Sequence, residues 1–190
     1  CLFNSVQYVC QGNHSRDGAF PLRQLVANVI RSNPDMYNET FLDKTNKAYC
    51  DWILAKDSWG GAIELSILSG HFECEIRCID IQTCQVHRFG EDAGYPRCVY
   101  CIYDGIHYDA AAFQICDGAP EEMDISVFSP NDDGVLHSCM EVVRKLNADR
   151  QFTDMANFSL RCLVCQKGLK GQKEAQEHAK VTGHINFGEF

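Results

Sequence analysis

The sequence has no long hydrophobic run. Apolar stretches such as Cys98 to Tyr103 fall far short of the roughly 18 residues that a membrane-crossing helix needs, so no membrane insertion is expected. No segment reads as a signal peptide, and a cytoplasmic location is expected. Positive charge is also scarce. With 17 basic against 26 acidic residues and a net charge of −9, the chain is a poor candidate for nucleic-acid binding and suits a basic or neutral partner surface. There is no internal repeat and no low-complexity tract. Cysteine is not lacking, since there are 12, but a chain of 190 residues that is 45% hydrophobic can build a core without a disulfide framework. The thiols are therefore expected to be reduced. The three sequons at Asn13, Asn38 and Asn157 are then chance occurrences.

The length allows one core and a small satellite module. Leu2, Phe3, Val6, Val9 and Cys10 recur at helical spacing, and Gly12 is a stop signal. A second apolar face, Leu22, Leu25, Val26, Val29 and Ile30, follows Pro21 and ends at Asn33-Pro34. Shorter helices are expected over 37–42 and 47–55. Another should be capped by Asp57 or Ser58 and closed by Gly70. From Glu73 the period changes to two. Residues 74–81 read as a strand with Cys74, Ile76 and Cys78 on one face and Ile79 and Ile81 on the other. A second strand is expected near 85–89, then two β-rich runs joined by Asp104-Gly105, a strong hairpin signal. Helices followed by a mixed or antiparallel sheet define an α+β fold. The stretch FSPNDDG ends this domain, and residues 135–151 read as a connecting helix.

Cys1 stands at the start of the first helix pattern, where unpaired N–H groups and the helix dipole favour a thiolate. A terminal cysteine can also be incidental. His107 follows the expected turn, and Asp109, two residues on, would share its strand face. A carboxylate so placed can orient one imidazole nitrogen while the other faces a reacting group, although a surface pair has the same spacing. His14, His71, His87 and His137 lie in no motif and are assigned to solvent or structural roles.

Near the C-terminus, Cys162, Cys165, His178 and His184 follow the pattern C-x2-C-x12-H-x5-H, which fits a tetrahedral structural zinc ion. Leu169 and Ala175 are its expected core, and so small a module needs the metal to fold. Cys98 and Cys101, also C-x2-C, sit on an expected strand and would point to opposite faces, so they cannot chelate together. A single finger reads only about three base pairs and its basic excess is slight, so protein recognition is favoured.

In order, CLFNSV at a helix start, WGGAIEL and YDGIHYD resemble the ovarian-tumour (OTU) family of cysteine deubiquitinases over roughly residues 1–128. The stretch RFGEDAGYPRCVYCIYDGIHYD and the finger resemble the branch that works with the valosin-containing AAA ATPase in endoplasmic-reticulum-associated degradation. The resemblance implies a papain-like OTU domain over 1–128, a linker and helix over 129–158, and a C2H2 finger over 159–190. It implies Cys1 as nucleophile, His107 as general base and acid, Asp109 as the orienting group and Ile106 as a contact for the ubiquitin tail. Zinc is the only cofactor implied. Ubiquitin and polyubiquitin are the implied partners, with the ATPase bound through a region preceding these residues. SPNDDGVL could meet a second ubiquitin. In the family an aspartate and two further residues precede the cysteine and help to build the oxyanion hole. The active enzyme is therefore expected to be longer than this chain, the alternative being a catalytically impaired ubiquitin-binding module. A nucleophile served by its own α-amine usually begins a strand rather than a helix.

Overall fold

The computed structural model describes all residues except 13, 14, 16, 17, 155–158, 185 and 190. His14 and the sequon asparagines Asn13 and Asn157 lie outside the described residues. Helix α1 (Leu2–Gln11) buries Leu2, Phe3, Val6 and Val9 and ends at Gly12, whose φ of 61° suits glycine. Helix α2 (Ala19–Ser32) begins two residues before Pro21, which is tolerated because first-turn N–H groups have no partner within the helix. The short α3 (Glu39–Leu42) is capped by Asn38 and α4 (Asn46–Leu54) by Thr45.

Helix α5 (Ala62–Phe72) departs from expectation at both ends. Asp57 and Ser58 do not cap it. The Ser58 hydroxyl instead donates to the Trp52 carbonyl at 2.5 Å, while the Glu64 carboxylate accepts the Gly61 N–H at 2.7 Å and sets the helix start. Gly70 does not close it either. The helix runs on to Phe72, and Glu73 takes the left-handed turn at φ 47°.

Strands β1 (Glu75–Asp80), β2 (Val86–Phe89), β3 (Cys98–Tyr103) and β4 (Tyr108–Ala111) form a sheet of order β2-β1-β3-β4. Only β1 and β3 run parallel, so the sheet is mixed. Ile76, Cys78, Val99 and Cys101 pack toward α1, α2, α4 and α5. Ile79, Cys98 and Tyr100 face the other way, onto Val143 of α6 (Asp133–Ala148). Cys98 and Cys101 thus lie in different cores, as their spacing requires, and all 12 cysteines are free thiols. On the α6 side, buried Arg77 bonds Glu75 twice (2.7 and 3.2 Å), the Tyr100 hydroxyl (2.8 Å) and the Pro130 carbonyl (2.7 Å). Every charge in that group has a partner, which is the condition for burying it.

The hairpin between β3 and β4 is longer than a two-residue Asp-Gly turn. Residues 104–107 form the loop, and His107 is its last residue rather than part of the strand. Asp104 Oδ1 accepts the backbone N–H groups of Ile106 (2.9 Å) and His107 (2.6 Å). Gly105, at φ 104°, passes so close to Thr153 that a Cβ would stand 2.2 Å from its carbonyl oxygen.

The C-terminal module has its own sheet, with β5 (Ser159–Cys162) between β6 (Gly168–Lys170) and β7 (Phe187–Glu189). Helix α7 (Gly171–Thr182) follows β6 directly. Its core is Leu160, Cys162, Leu169 and Ala175, of which the sequence had marked Leu169 and Ala175 as core positions. Among the described residues, no helix is long and apolar enough to cross a membrane.

Candidate active site

Cys1 is exposed at the N-cap of α1, and its carbonyl accepts the Ser5 N–H at 2.9 Å. One turn on, the Ser5 hydroxyl donates to the Tyr108 carbonyl at 2.6 Å and ties the helix to β4. That bond brings the two ends of the main body together. Cys1, Ser5, Tyr8, His107, Asp109 and Glu121 line one cleft of about 460 Å³. His107 Nε2 stands 3.3 Å from Asp109 Oδ1, which leaves Nδ1 as the nitrogen for a reacting group. Both side chains are more than half exposed, at 52% and 68%. Their mutual attraction is therefore modest until something covers them.

In the wall of the cleft, the Tyr8 hydroxyl donates to Asp124 at 2.5 Å. Burial and that carboxylate push the phenol up to about 12.

A second recess of about 240 Å³ opens from Cys1 on the other side, between Phe3, Ser58, Trp59 and Gly60. Cys1 is the shared residue of the two hollows. Ile106, half-buried, stands in the loop just before His107. The sequence had not singled out Ser5, Tyr8 or Arg23. The first two are polar residues inside the apolar pattern of α1, and Arg23 is a charge on the buried face of α2. Each was a visible signal.

In the C-terminal module, one ligand atom from each of Cys162, Cys165, His178 and His184 lies within 4.8 Å of the others. Cys162 Sγ is 3.7 Å from His184 Nδ1, and Cys165 Sγ is 3.5 Å from His178 Nε2. A zinc tetrahedron with normal Zn–S and Zn–N bonds has S···N edges of about 3.6 Å, so the set fits the ion. The metal here is structural zinc. Of the unassigned histidines, His71 packs edge-on against Phe72 and His137 faces Glu141 on the surface, both away from these sites.

A cysteine at a helix start and a histidine–carboxylate pair on the adjoining hairpin, opening onto one cleft beside a mixed sheet, make an α+β papain-like arrangement. Residues 1–112 match the family described as OTU-like cysteine protease, and the chain belongs to that family. Residues 156–190 match a second family, "Ubiquitin thioesterase OTU1, C-terminal C2H2-type zinc finger". The chain is 53% identical over 190 residues to human "Ubiquitin thioesterase OTU1", covering all of this chain and 54% of that protein. It is 45% identical to "OVARIAN TUMOR DOMAIN-containing deubiquitinating enzyme 2" of Arabidopsis thaliana, covering all of this chain and 92% of that protein. A solved structure of an ovarian tumour domain in complex with ubiquitin superposes with a TM-score of 0.70 at 30% identity, over 80% of this chain and 84% of that one. The chain spans only about half the length of the human relative.

Proposed function

We propose that this chain is the catalytic part of a cysteine deubiquitinase, which hydrolyses ubiquitin–lysine isopeptide bonds in polyubiquitin. One observation carries the reading: Cys1, His107 and Asp109, from opposite ends of the main body, open onto one cleft. The named functions of the relatives and the ubiquitin-bound structural neighbour point the same way.

The roles follow from the chemistry. His107 Nδ1 takes the thiol proton of Cys1, and the thiolate attacks the carbonyl carbon of the terminal glycine of ubiquitin. As the tetrahedral intermediate collapses, the C–N bond breaks and His107 returns the proton to the departing lysine amine. Water, deprotonated by His107, then attacks the thioester. The C–S bond breaks, ubiquitin leaves with a free carboxylate and the thiol is restored. Asp109 accepts the hydrogen bond from Nε2 and holds the ring in this tautomer. When the substrate tail covers the exposed pair, loss of water strengthens that interaction. Ile106 borders the tail. Cys162, Cys165, His178 and His184 hold the zinc ion that folds the finger, whose role we assign to protein recognition.

The proposed division is a catalytic domain over 1–128, a linking segment over 129–158 and the finger over 159–190. The finer setting is also a proposal: cytoplasmic action in endoplasmic-reticulum-associated degradation, with the valosin-containing AAA ATPase held by a region preceding residue 1. The test is cleavage of isopeptide-linked diubiquitin by protein carrying its natural upstream residues. Cleavage should vanish in Cys1→Ala and fall about 10²- to 10⁴-fold in His107→Ala. Tight ubiquitin binding with no cleavage would overturn the reading in favour of a ubiquitin-binding module.

A further inference from the structure

Arg23 is a positive charge placed where α2 should be apolar. It is only 9% exposed, on a helix face shared with Val26, Ala27 and Ile30. Its guanidinium gathers three backbone carbonyls from one short segment. Nη1 donates to Ile53 at 2.8 Å, and Nη2 to Lys56 at 3.2 Å and Ser58 at 2.7 Å. The group lies over the Phe3 ring, 4.5 Å from its centroid, and so also touches the first turn of α1. Burial pulls its pKa down, and the carboxylates of Glu64 and Asp57 oppose that shift.

The two residues after Ser58 matter most. Trp59 and Gly60 form the wall of the smaller recess at Cys1. Gly60 packs between α5 and α1, where a Cβ would come within 3.2 Å of the Glu64 side chain, 3.3 Å of Phe3 and 3.4 Å of Leu2. Downstream, the Gly61 N–H is held by Glu64, which in turn accepts from the Tyr49 hydroxyl at 2.8 Å. The wall is therefore pinned on both sides, and Arg23 is the pin that reaches the nucleophile-bearing helix as well.

We propose that Arg23 is a positioning residue for the substrate tail: by gathering the carbonyls of residues 53–58 beneath Phe3, it fixes the Trp59-Gly60 wall relative to Cys1. This rests on the reading that Cys1 attacks the end of a peptide tail. Lysine cannot replace it, because an ammonium is a compact charge and lacks the planar fork that spans several acceptors. Loss of Arg23 should loosen the grip on the substrate and leave the intrinsic reactivity of the thiol intact.

The experiment compares Arg23→Lys, Arg23→Gln and Gly60→Ala with wild type, all carrying the natural upstream residues. Both Arg23 variants should lose about tenfold in kcat/KM on a ubiquitin substrate, chiefly through KM. Alkylation of Cys1 by iodoacetamide should stay within about twofold of wild type. In a Trp52→Phe background, Trp59 fluorescence should become more open to acrylamide quenching in the Arg23 variants. Gly60→Ala crowds the Glu64, Phe3 and Leu2 side chains with Arg23 intact and should raise KM likewise, which keeps the test alive if Arg23→Gln fails to fold. Unchanged KM in Gly60→Ala, unchanged quenching in Arg23→Lys, or parallel losses of alkylation and cleavage would each overturn the proposal. If wild type itself fails to cleave ubiquitin, the proposed activity falls, and the quenching result still decides the role of Arg23.

Discussion

The hydroxyl of Ser5 donates to the carbonyl of Tyr108 at 2.6 Å, joining the helix that begins with Cys1 to the strand that carries Asp109. The bond lies between the two halves of the site. Ser5 is one turn from the thiol, and Tyr108 is flanked by His107 and Asp109. Ser5→Ala leaves the Tyr108 carbonyl without this donor and should cost about 1 to 3 kcal/mol of stability. It should also lower kcat several-fold, because α1 and β4 are then free to shift. Thermal melts and steady-state kinetics on the same variant check both effects.

Asp109→Ala should reduce kcat with little change in ubiquitin affinity, since the carboxylate touches His107 rather than the substrate body. A loss of about tenfold to a hundredfold is expected, less than for a fully buried triad aspartate, because the pair is so exposed. Single-turnover cleavage alongside a binding titration separates the two quantities.

Zinc removal should act on one module only. The finger core holds four small groups around the ligand cluster and has little else to hold it together. Chelation should abolish protection of amide hydrogens over the finger while those of β1 and β3 stay protected. Hydrogen exchange followed by mass spectrometry reads both modules in one sample.

Glu64 supplies a pH-dependent term. Burial raises its carboxyl pKa above the ordinary value, against the pull of the Gly61 N–H, Tyr49 and Arg23. The folded state therefore binds this proton more tightly than the unfolded chain does. The resulting stability is complete below the unfolded pKa of about 4.3 and is lost as pH rises through the folded value. Glu64→Gln should remove this component and flatten the fall of Tm above pH 4.3, as a pH series of thermal melts would show.

The zinc site was legible because its ligands lie close in the chain, where spacing alone fixes the geometry. Strand β1 was legible too, since alternation assigned Ile76 and Ile79 to opposite cores. The start of α5 was not. Asp57 and Ser58 look like caps, but Arg23 and Trp52 take up this stretch through contacts that no local pattern encodes. His107 was expected on a strand because Asp104-Gly105 suggested a two-residue turn. Asp104 instead folds a four-residue loop around its own side chain. Ser5 and Arg23 were polar residues in apolar stripes, and only the tertiary partners 103 and 30 to 35 residues away explain them.

The central claim is that the thiol of Cys1 is the group that attacks ubiquitin. Its most direct test is intact-mass analysis after incubation with ubiquitin bearing a cysteine-reactive group at its C-terminus, followed by peptide mapping. The account predicts one ubiquitin adduct, mapped to Cys1, absent in Cys1→Ala and much slower in His107→Ala. An adduct at any of the other cysteines, or one formed equally fast without His107, would contradict it.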